Sequence, residues 1–340
     1  METKKKITKQ PNKMLVITSG MIVADIIAPN LPKIAEPGEM LHLDTDISLR
    51  NGGHPGNVVI DLAQLGIDPK NLGTIIALGK DVFGEFLKNK VESYGIKTFI
   101  QWTKRHTSTD VVLVVKGQDR RFHISPGANL ELNSDFLKRV LKKNQPKVFC
   151  SRPGYSGIDL EIGEIFKGMK NAFKFLDVCR PYKKPWAYIL PAISQVDALH
   201  CNEKEAMNIT SKPSAKEAIK DLKKRVKKFL FITEGAKGAK LIIGDKEISQ
   251  PSFKVKWIDP TGCGDAFCAG IIYKLIKWDK FADFDDKELT ELLLFAQAAG
   301  AAASLEPGCT TGVTSDKVNQ LIKAQGKKIF SKTKSLTLWR

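Results

Sequence analysis

The stretch Asp259-Pro260-Thr261-Gly262-Cys263-Gly264-Asp265 runs directly into AFCAGIIYKLI, setting two glycines ahead of a helical pattern. Glycine lets consecutive backbone N–H groups converge on one point, where a Cβ would crowd a bound anion. The first turn of a helix adds unpaired amides and about half a positive charge. Together these make a phosphate cradle built from backbone alone. Asp265 is an odd neighbour for it, because like unit charges about 4 Å apart repel by about 4 kcal/mol at an effective dielectric of 20. Two roles stay open at this level. Asp265 is either an ordinary aspartate at a helix start, or a base that faces a hydroxyl while the amides stabilise a transferring phosphoryl group.

A second glycine cluster, Asn51-Gly52-Gly53-His54-Pro55-Gly56-Asn57, precedes VVIDLAQLG, whose Val58, Leu62 and Leu65 share a helical face before Gly66 stops it. These glycines also sit at a loop-to-helix junction. No GxxxxGK[ST] loop occurs, since Gly235–Gly238 in TEGAKG lacks the following Lys-Ser/Thr, and no GxGxxG follows the first strand. The five histidines (42, 54, 106, 123, 200) have no metal-ligand spacing. The six cysteines (150, 179, 201, 263, 268, 309) form no CxxC pair and read as free thiols of a reducing, cytoplasmic setting.

The elements that must carry these loops alternate. Residues 14–24, 72–78, 148–150, 173–178, 198–200, 227–233, 239–243 and 253–257 read as strands. Helical patterns cover 81–94, 158–170, 185–196, 265–276, 288–305 and 315–323. Alternation at this spacing predicts an α/β fold, with a mostly parallel sheet flanked by helices on both faces. Strands at 97–101, 109–116 and 120–124, with an edge strand in 40–49, predict a small projecting β-sheet. The net charge of +17 raises local anion concentration. Its densest run, 216–228, has apolar residues at helical spacing, so its lysines form the solvated face of a surface helix. No finger spacing or aromatic–basic interleaving supports nucleic-acid binding. No apolar run reaches the roughly 18 residues of a membrane span.

The segment DPTGCGDAFCAG resembles the C-terminal motif of the ribokinase-like (PfkB) carbohydrate kinases, DTxGAGDxF, with Cys263 in place of alanine. GGHPGN with Leu62 and Leu65-Gly66 resembles their N-terminal motif, GGxxxNxAxxLxxLG, in the GGxPAN style of fructokinase and 2-keto-3-deoxygluconate kinase members. Gly20 to Asp25, Ser125–Asn129 and Asn202–Glu205 add smaller matches, as does Thr233-Glu234-Gly235 with Gly238. Asp177–Arg180 approximates DxNxR without its asparagine. The resemblance implies a ribokinase-like kinase domain over 13–325, lid strands within 26–51 and 97–124, and a tail at 326–340. It implies an ATP-dependent kinase acting on a sugar or sugar acid, the alternatives being a nucleoside kinase, a sugar-phosphate kinase or a non-catalytic sugar-binding protein.

Carried over by position, the resemblance makes Asp265 the base and Gly262, Cys263 and Gly264 the anion hole. Asp25, Gly52, Gly53, His54, Asn57 and Arg180 would bind the acceptor. Asn202 and Glu205 would hold Mg²⁺ mainly through water. Thr233, Gly235, Gly238, Gln297 and Gly308 would line the ATP site, and Asp259 and Thr261 leave room for K⁺. Phe99, Trp102 and Phe122 would supply a base-binding wall if the acceptor were a nucleoside. The implied partners are a small polyol substrate and a second copy of the chain, with neither nucleic acid nor membrane.

Overall fold

The computed structural model describes residues 14–118 and 120–337; the lysines before Met14 and the last three residues of the tail lie outside them. The strands, in chain order, are β1 (Val16–Gly20), β2 (Val23–Leu31), β3 (Ser48–Gly52), β4 (Leu72–Gly79), β5 (Lys97–Thr103), β6 (Thr109–Val115) and β7 (Arg121–Ser125). They continue with β8 (Val148–Arg152), β9 (Phe173–Asp177), β10 (Ala198–Asn202), β11 (Phe229–Thr233), β12 (Ala239–Ile243), β13 (Lys246–Gln250) and β14 (Lys334–Thr337). One sheet has the order β14-β13-β12-β11-β10-β9-β8-β1-β4-β5, and a second has β3-β2-β6-β7. From β5 to β11 every pairing in the large sheet is parallel, whereas β12, β13 and β14 add on antiparallel.

Apart from the edge strand β5, the parallel strands are buried on both faces, and their period-2 alternation feeds two separate cores. Val16, Ile76, Val148 and Phe231 pack under the helices His54–Gln64, Cys263–Trp278 and Asp286–Ala303. Their sequence neighbours Ile17, Ile75, Phe149 and Leu230 join the opposite core with Leu137 and Phe166. In the small sheet, Asp25 on β2 stands in register with Arg50 on β3 and Asp110 on β6. Ile26, Leu49 and Val111 are in register across the same three strands, one residue along.

Several expected boundaries move. β5 pairs in parallel with β4 as an edge of the large sheet, so the lid contains β6 and β7 but not residues 97–103. Phe99 and Trp102 therefore belong to the main body, and only Phe122 of the three aromatic candidates lies in the small sheet. Within 26–51, only the ends are strand. Residues 253–257 alternate like a strand but form none; Lys254 N–H instead donates to Gln325 Oε1 at 2.9 Å. The missed strand is β13, whose polar KEISQ gives a weak pattern and which is defined by its neighbours β12 and β14. Pro191 limits the expected helix at 185–196 to a 3₁₀ turn and the short Leu190–Ile193. The tail forms a helix, Lys327–Ser331, and then closes the large sheet as β14.

Candidate active site

Parallel α/β sheets place ligands beyond the carboxyl ends of their strands. Here Gly20 of β1 lies level with Arg152 of β8, His200 of β10 with Asp177 of β9, and Asn202 with Thr233 of β11. The helix Cys263–Trp278 points its N-terminus at this edge, capped by Gly262 at φ 80°. A Cβ on Gly262 would lie 2.3 Å from the Cys309 carbonyl oxygen, so the following loop as well as the left-handed backbone demands glycine. A Cβ on Gly264 would meet nothing nearer than His200 Cε1 at 3.6 Å. Among the described residues, the N–H groups of Gly264 and Asp265 have no hydrogen-bond partner. These are the orphan donors a phosphoryl oxygen would take up. Gly262→Ala is expected to lower kcat at least about 50-fold by moving those amides, measured by steady-state kinetics beside an unchanged circular-dichroism spectrum.

Asp265 is 5% exposed and ringed by donors. Its Oδ1 accepts from His54 Nδ1 at 2.9 Å and from Arg152 Nη1 at 3.0 Å, and its Oδ2 accepts from Asn57 Nδ2 at 2.7 Å. A carboxylate has about four acceptor sites, so one remains, on Oδ2. Burial works against its charge. The hydrogen bond from His54 and the positive charges of Arg152 and His54 outweigh both that and the nearby Asp177, and hold its pKa below the usual carboxylate value. Asn57 in turn accepts from Asn51 Nδ2 at 3.1 Å, which links Asp265 to β3 and the acceptor loop.

Asp25 stands on the other side of that loop, 8% exposed, and accepts no hydrogen bond from the described residues. A Cβ on Gly52 would fall 2.1 Å from Asp25 Oδ2, so this glycine keeps the space over the carboxylate clear. Burial first, then the charges of Asp110 and Asp259, push the Asp25 pKa up to about 8. A buried acceptor held without a partner suits a ligand that brings its own hydroxyl donors. Gly53 is fixed by packing, as a Cβ there would lie 2.3 Å from Met21 O. His54 is only 1% exposed and points beneath Asp265, away from where the sequence expectation put it. Arg180 is exposed, with no ion pair or hydrogen bond among the described residues.

Of the residues expected to face the nucleotide, Asn202 and Glu205 form a reciprocal capping box: Glu205 N–H donates to Asn202 Oδ1 at 2.9 Å, and Asn202 N–H to Glu205 Oε2 at 2.8 Å. Glu205 Oε1 accepts nothing from the described residues, so the pair fits a hydrated Mg²⁺. Thr233 Oγ1 lies 3.3 Å from His200 Nε2. Gly235 opens to free space, whereas a Cβ on Gly238 would strike Gln250 O at 1.9 Å. Gln297 Nε2 donates to Gln250 Oε1 at 2.9 Å within a buried amide chain.

Around the expected K⁺ position, which the resemblance builds from backbone oxygens near Asp259, Thr261 and residues 304–309, the Asp259 and Thr261 side chains are paired. Asp259 accepts from Thr261 N–H at 2.9 Å and from Gly308 N–H at 3.0 Å. The lid residue Arg120 places its guanidinium 3.4 Å from Asp259 Oδ1 and hydrogen-bonds Thr261 Oγ1. A guanidinium thus holds these two side-chain oxygens.

Three residues of this edge escaped the sequence reading as functional groups: Arg152, Asp177 and His200. Each ends or nearly ends a parallel strand, which is the signal that could have found them. Two clusters have ligand-like atoms within 4.8 Å of one another: His54, Asp177 and Asp265; and Asp177, His200 and Cys268. Their atoms bond to each other, and Arg152 Nε lies 3.3 Å from Asp177, so a guanidinium supplies the positive charge a metal would bring.

A family model described as pfkB family carbohydrate kinase matches residues 12–316. Fructokinase-1 of Zea mays is 27% identical over 290 residues, covering 80% of this chain and 88% of that protein. Ribokinase of Lactococcus lactis is 27% identical over 261 residues, covering 75% and 82%. The solved ribokinase of Giardia lamblia superposes with a TM-score of 0.78 at 19% identity, covering 92% of this chain and 99% of that one, which establishes the ribokinase-like α/β fold.

Proposed function

As a member of the pfkB family of carbohydrate kinases, this chain is an ATP-dependent sugar kinase, and we propose that it phosphorylates a hydroxyl of a neutral sugar with Asp265 as base. The observation that carries this reading is the single open acceptor site on Asp265 Oδ2 beside the unpaired amides of Gly264 and Asp265. The hydroxyl oxygen bonds the γ-phosphorus as the bond to the bridging oxygen breaks and ADP leaves; the hydroxyl proton passes to Asp265. The amides hold the transferring oxygens, and Asn57 keeps Oδ2 aimed at the acceptor. Bound Mg²⁺ at Asn202 and Glu205 would neutralise phosphate charge.

Asp25 and Gly52 would grip the sugar, with the small sheet excluding water. The charges acting most strongly on Asp25 are the carboxylates of Asp110 and Asp259, an environment that favours a neutral polyol over a sugar acid or sugar phosphate. Relatives named fructokinase support the same choice. A nucleoside acceptor has less support, since only Phe122 remains to face a base.

Six free cysteines favour a reducing, cytoplasmic setting, and among the described residues no helix is long and apolar enough to cross a membrane. The exposed Leu49 and Val111, in register with Ile26, favour a homodimer through the small sheet. The deciding experiment is a coupled ADP-release screen over neutral sugars, sugar acids, sugar phosphates and nucleosides, in K⁺ and in Na⁺. Turnover is expected with a neutral ketose or aldose, and within about twofold in the two salts because Arg120 already brings a positive charge to the Asp259 and Thr261 side chains. Turnover only with an anionic sugar or a nucleoside would overturn the acceptor assignment, and strong K⁺ activation would overturn the Arg120 reading.

A further inference from the structure

We propose that His54 is a positioning residue for phosphoryl transfer: wedged between Asp265 and Asp177, it fixes which carboxylate oxygen of Asp265 is left for the acceptor and ties that orientation to the nucleotide strand β11. This rests on the reading of Asp265 as base. His54 opens its helix and has both ring nitrogens engaged: Nδ1 lies 2.9 Å from Asp265 Oδ1 and 3.2 Å from Asp177 Oδ2, and Nε2 lies 3.2 Å from Cys150 Sγ. The buried chain continues from Asp177 Oδ1 to His200 Nδ1 at 2.7 Å, and from His200 Nε2 to Thr233 Oγ1 at 3.3 Å. It therefore runs unbroken from the base to the strand end that faces the nucleotide.

The wedge has a chemical consequence. With His54 and Arg152 both on Oδ1 and Asn57 on Oδ2, the carboxylate plane of Asp265 cannot turn without breaking a bond. Take His54 away and Oδ1 keeps one donor, Arg152, so the plane is held less firmly and the acceptor hydroxyl meets a base of wider orientation. Burial disfavours a charged imidazole here, but the hydrogen bonds to Asp177 and Asp265 favour it and raise the His54 pKa well above its usual value. His54 is thus a cation beside the base.

The other groups bearing on Asp265 come from every side. They are Asp61 on the His54 helix, Cys150 and Arg152 on β8, Asp177 on β9, Cys263 and Cys268 on its own helix, and Cys309 from the loop beyond. Burial keeps Asp61 and the thiols neutral, leaving Arg152 and His54 as the opposing cations. Without His54, the Asp265 pKa rises, and kcat is lost at a higher pH on the acid side.

The test compares His54→Ala, His54→Gln, Asp177→Asn and Asp265→Asn by kcat, both KM values, the acid limb of kcat against pH, and thermal stability. His54→Ala is expected to lower kcat about 10- to 50-fold, with either KM within about threefold, and to move the acid limb upward. His54→Gln keeps one donor and is expected to recover part of the rate, while Asp177→Asn lowers kcat as His54→Ala does but moves the acid limb downward, because the Asp177 charge raises the Asp265 pKa. If His54→Ala does not fold, the Gln and Asn variants carry the comparison. An inactive Asp265→Asn beside a His54→Ala enzyme with unchanged kcat and acid limb would overturn the positioning role and leave the base in place. So would a loss of stability with an unmoved acid limb and no recovery in His54→Gln. A fully active Asp265→Asn would remove the base assignment and this inference with it.

Discussion

Asp265→Asn is expected to lower kcat by about 10²- to 10⁴-fold while changing the KM for ATP little, because it removes the proton acceptor and leaves the nucleotide contacts alone. The structure adds a second effect. Asp265 is the shared partner of His54, Arg152 and Asn57, and an amide cannot receive all three. His54 and the half-buried Arg152 would then share Asp177 alone, so the variant should also melt at a lower temperature. Steady-state kinetics and a thermal melt separate the two effects. Turnover within a few-fold of the parent would remove Asp265 from the chemistry. On the acid side, the pKa of Asp265 lies below the usual carboxylate value, so it stays ionised as pH falls through that range. The acid limb of kcat is therefore expected below the ordinary carboxylate range, with no loss near neutrality.

Asp25→Ala is expected to raise the acceptor KM by about 10²- to 10³-fold, since a carboxylate accepting two hydroxyls forgoes two charge-assisted bonds. The KM for ATP should stay within a factor of about two. With its pKa at about 8, Asp25 is mostly protonated at pH 7, and hydroxyl donors call for the ionised form. Acceptor binding at pH 7 should therefore release a proton, seen by calorimetry as a heat that varies with the buffer's ionisation enthalpy. The acceptor KM should improve about tenfold from pH 7 to pH 9 and then level off. Stability runs the opposite way. A carboxyl whose folded pKa is raised binds more protons folded than unfolded between about pH 4 and pH 8, so the ligand-free protein loses stability as pH rises through that window. Asp25→Asn should consequently gain melting temperature relative to the parent as pH rises from 6 to 9, while still failing to bind acceptor.

What could be read before folding was the chemistry that depends on local backbone. The Gly262–Asp265 segment announces a loop feeding a helix start, and the structure finds the amides of Gly264 and Asp265 unpaired there, while that of Cys263 donates to Pro260 O. The parallel sheet was legible because apolar strands alternate with helices at regular spacing. The layout of the small sheet was not. Residues 97–103 and 109–115 have similar β-rich composition, and only their pairing assigns one to the body and the other to the lid. His54 shows the same limit within the site. Its position in a glycine-rich motif suggested contact with substrate, yet its direction depends on Asp177, 123 residues away, and on Asp265, 211 residues away. Arg152 and Arg180 stand at the ends of neighbouring strand segments with nothing local to tell them apart; only the sheet order turns Arg152 inward.

On the proposed function, gripping the sugar and moving the phosphoryl group would be divided between two sheets, and the chain passes from one to the other through Met21 and Ile22. The side-chain amide of Asn129 clasps that crossing from both sides, accepting from Ile22 N–H at 3.2 Å and donating to Ile22 O at 2.8 Å. The clasp acts as a pivot. Any rocking of the small sheet would swing Asp25 about a point pinned to the main body, and on the proposed function the gap between sugar and phosphate would then be set by leverage from Asn129.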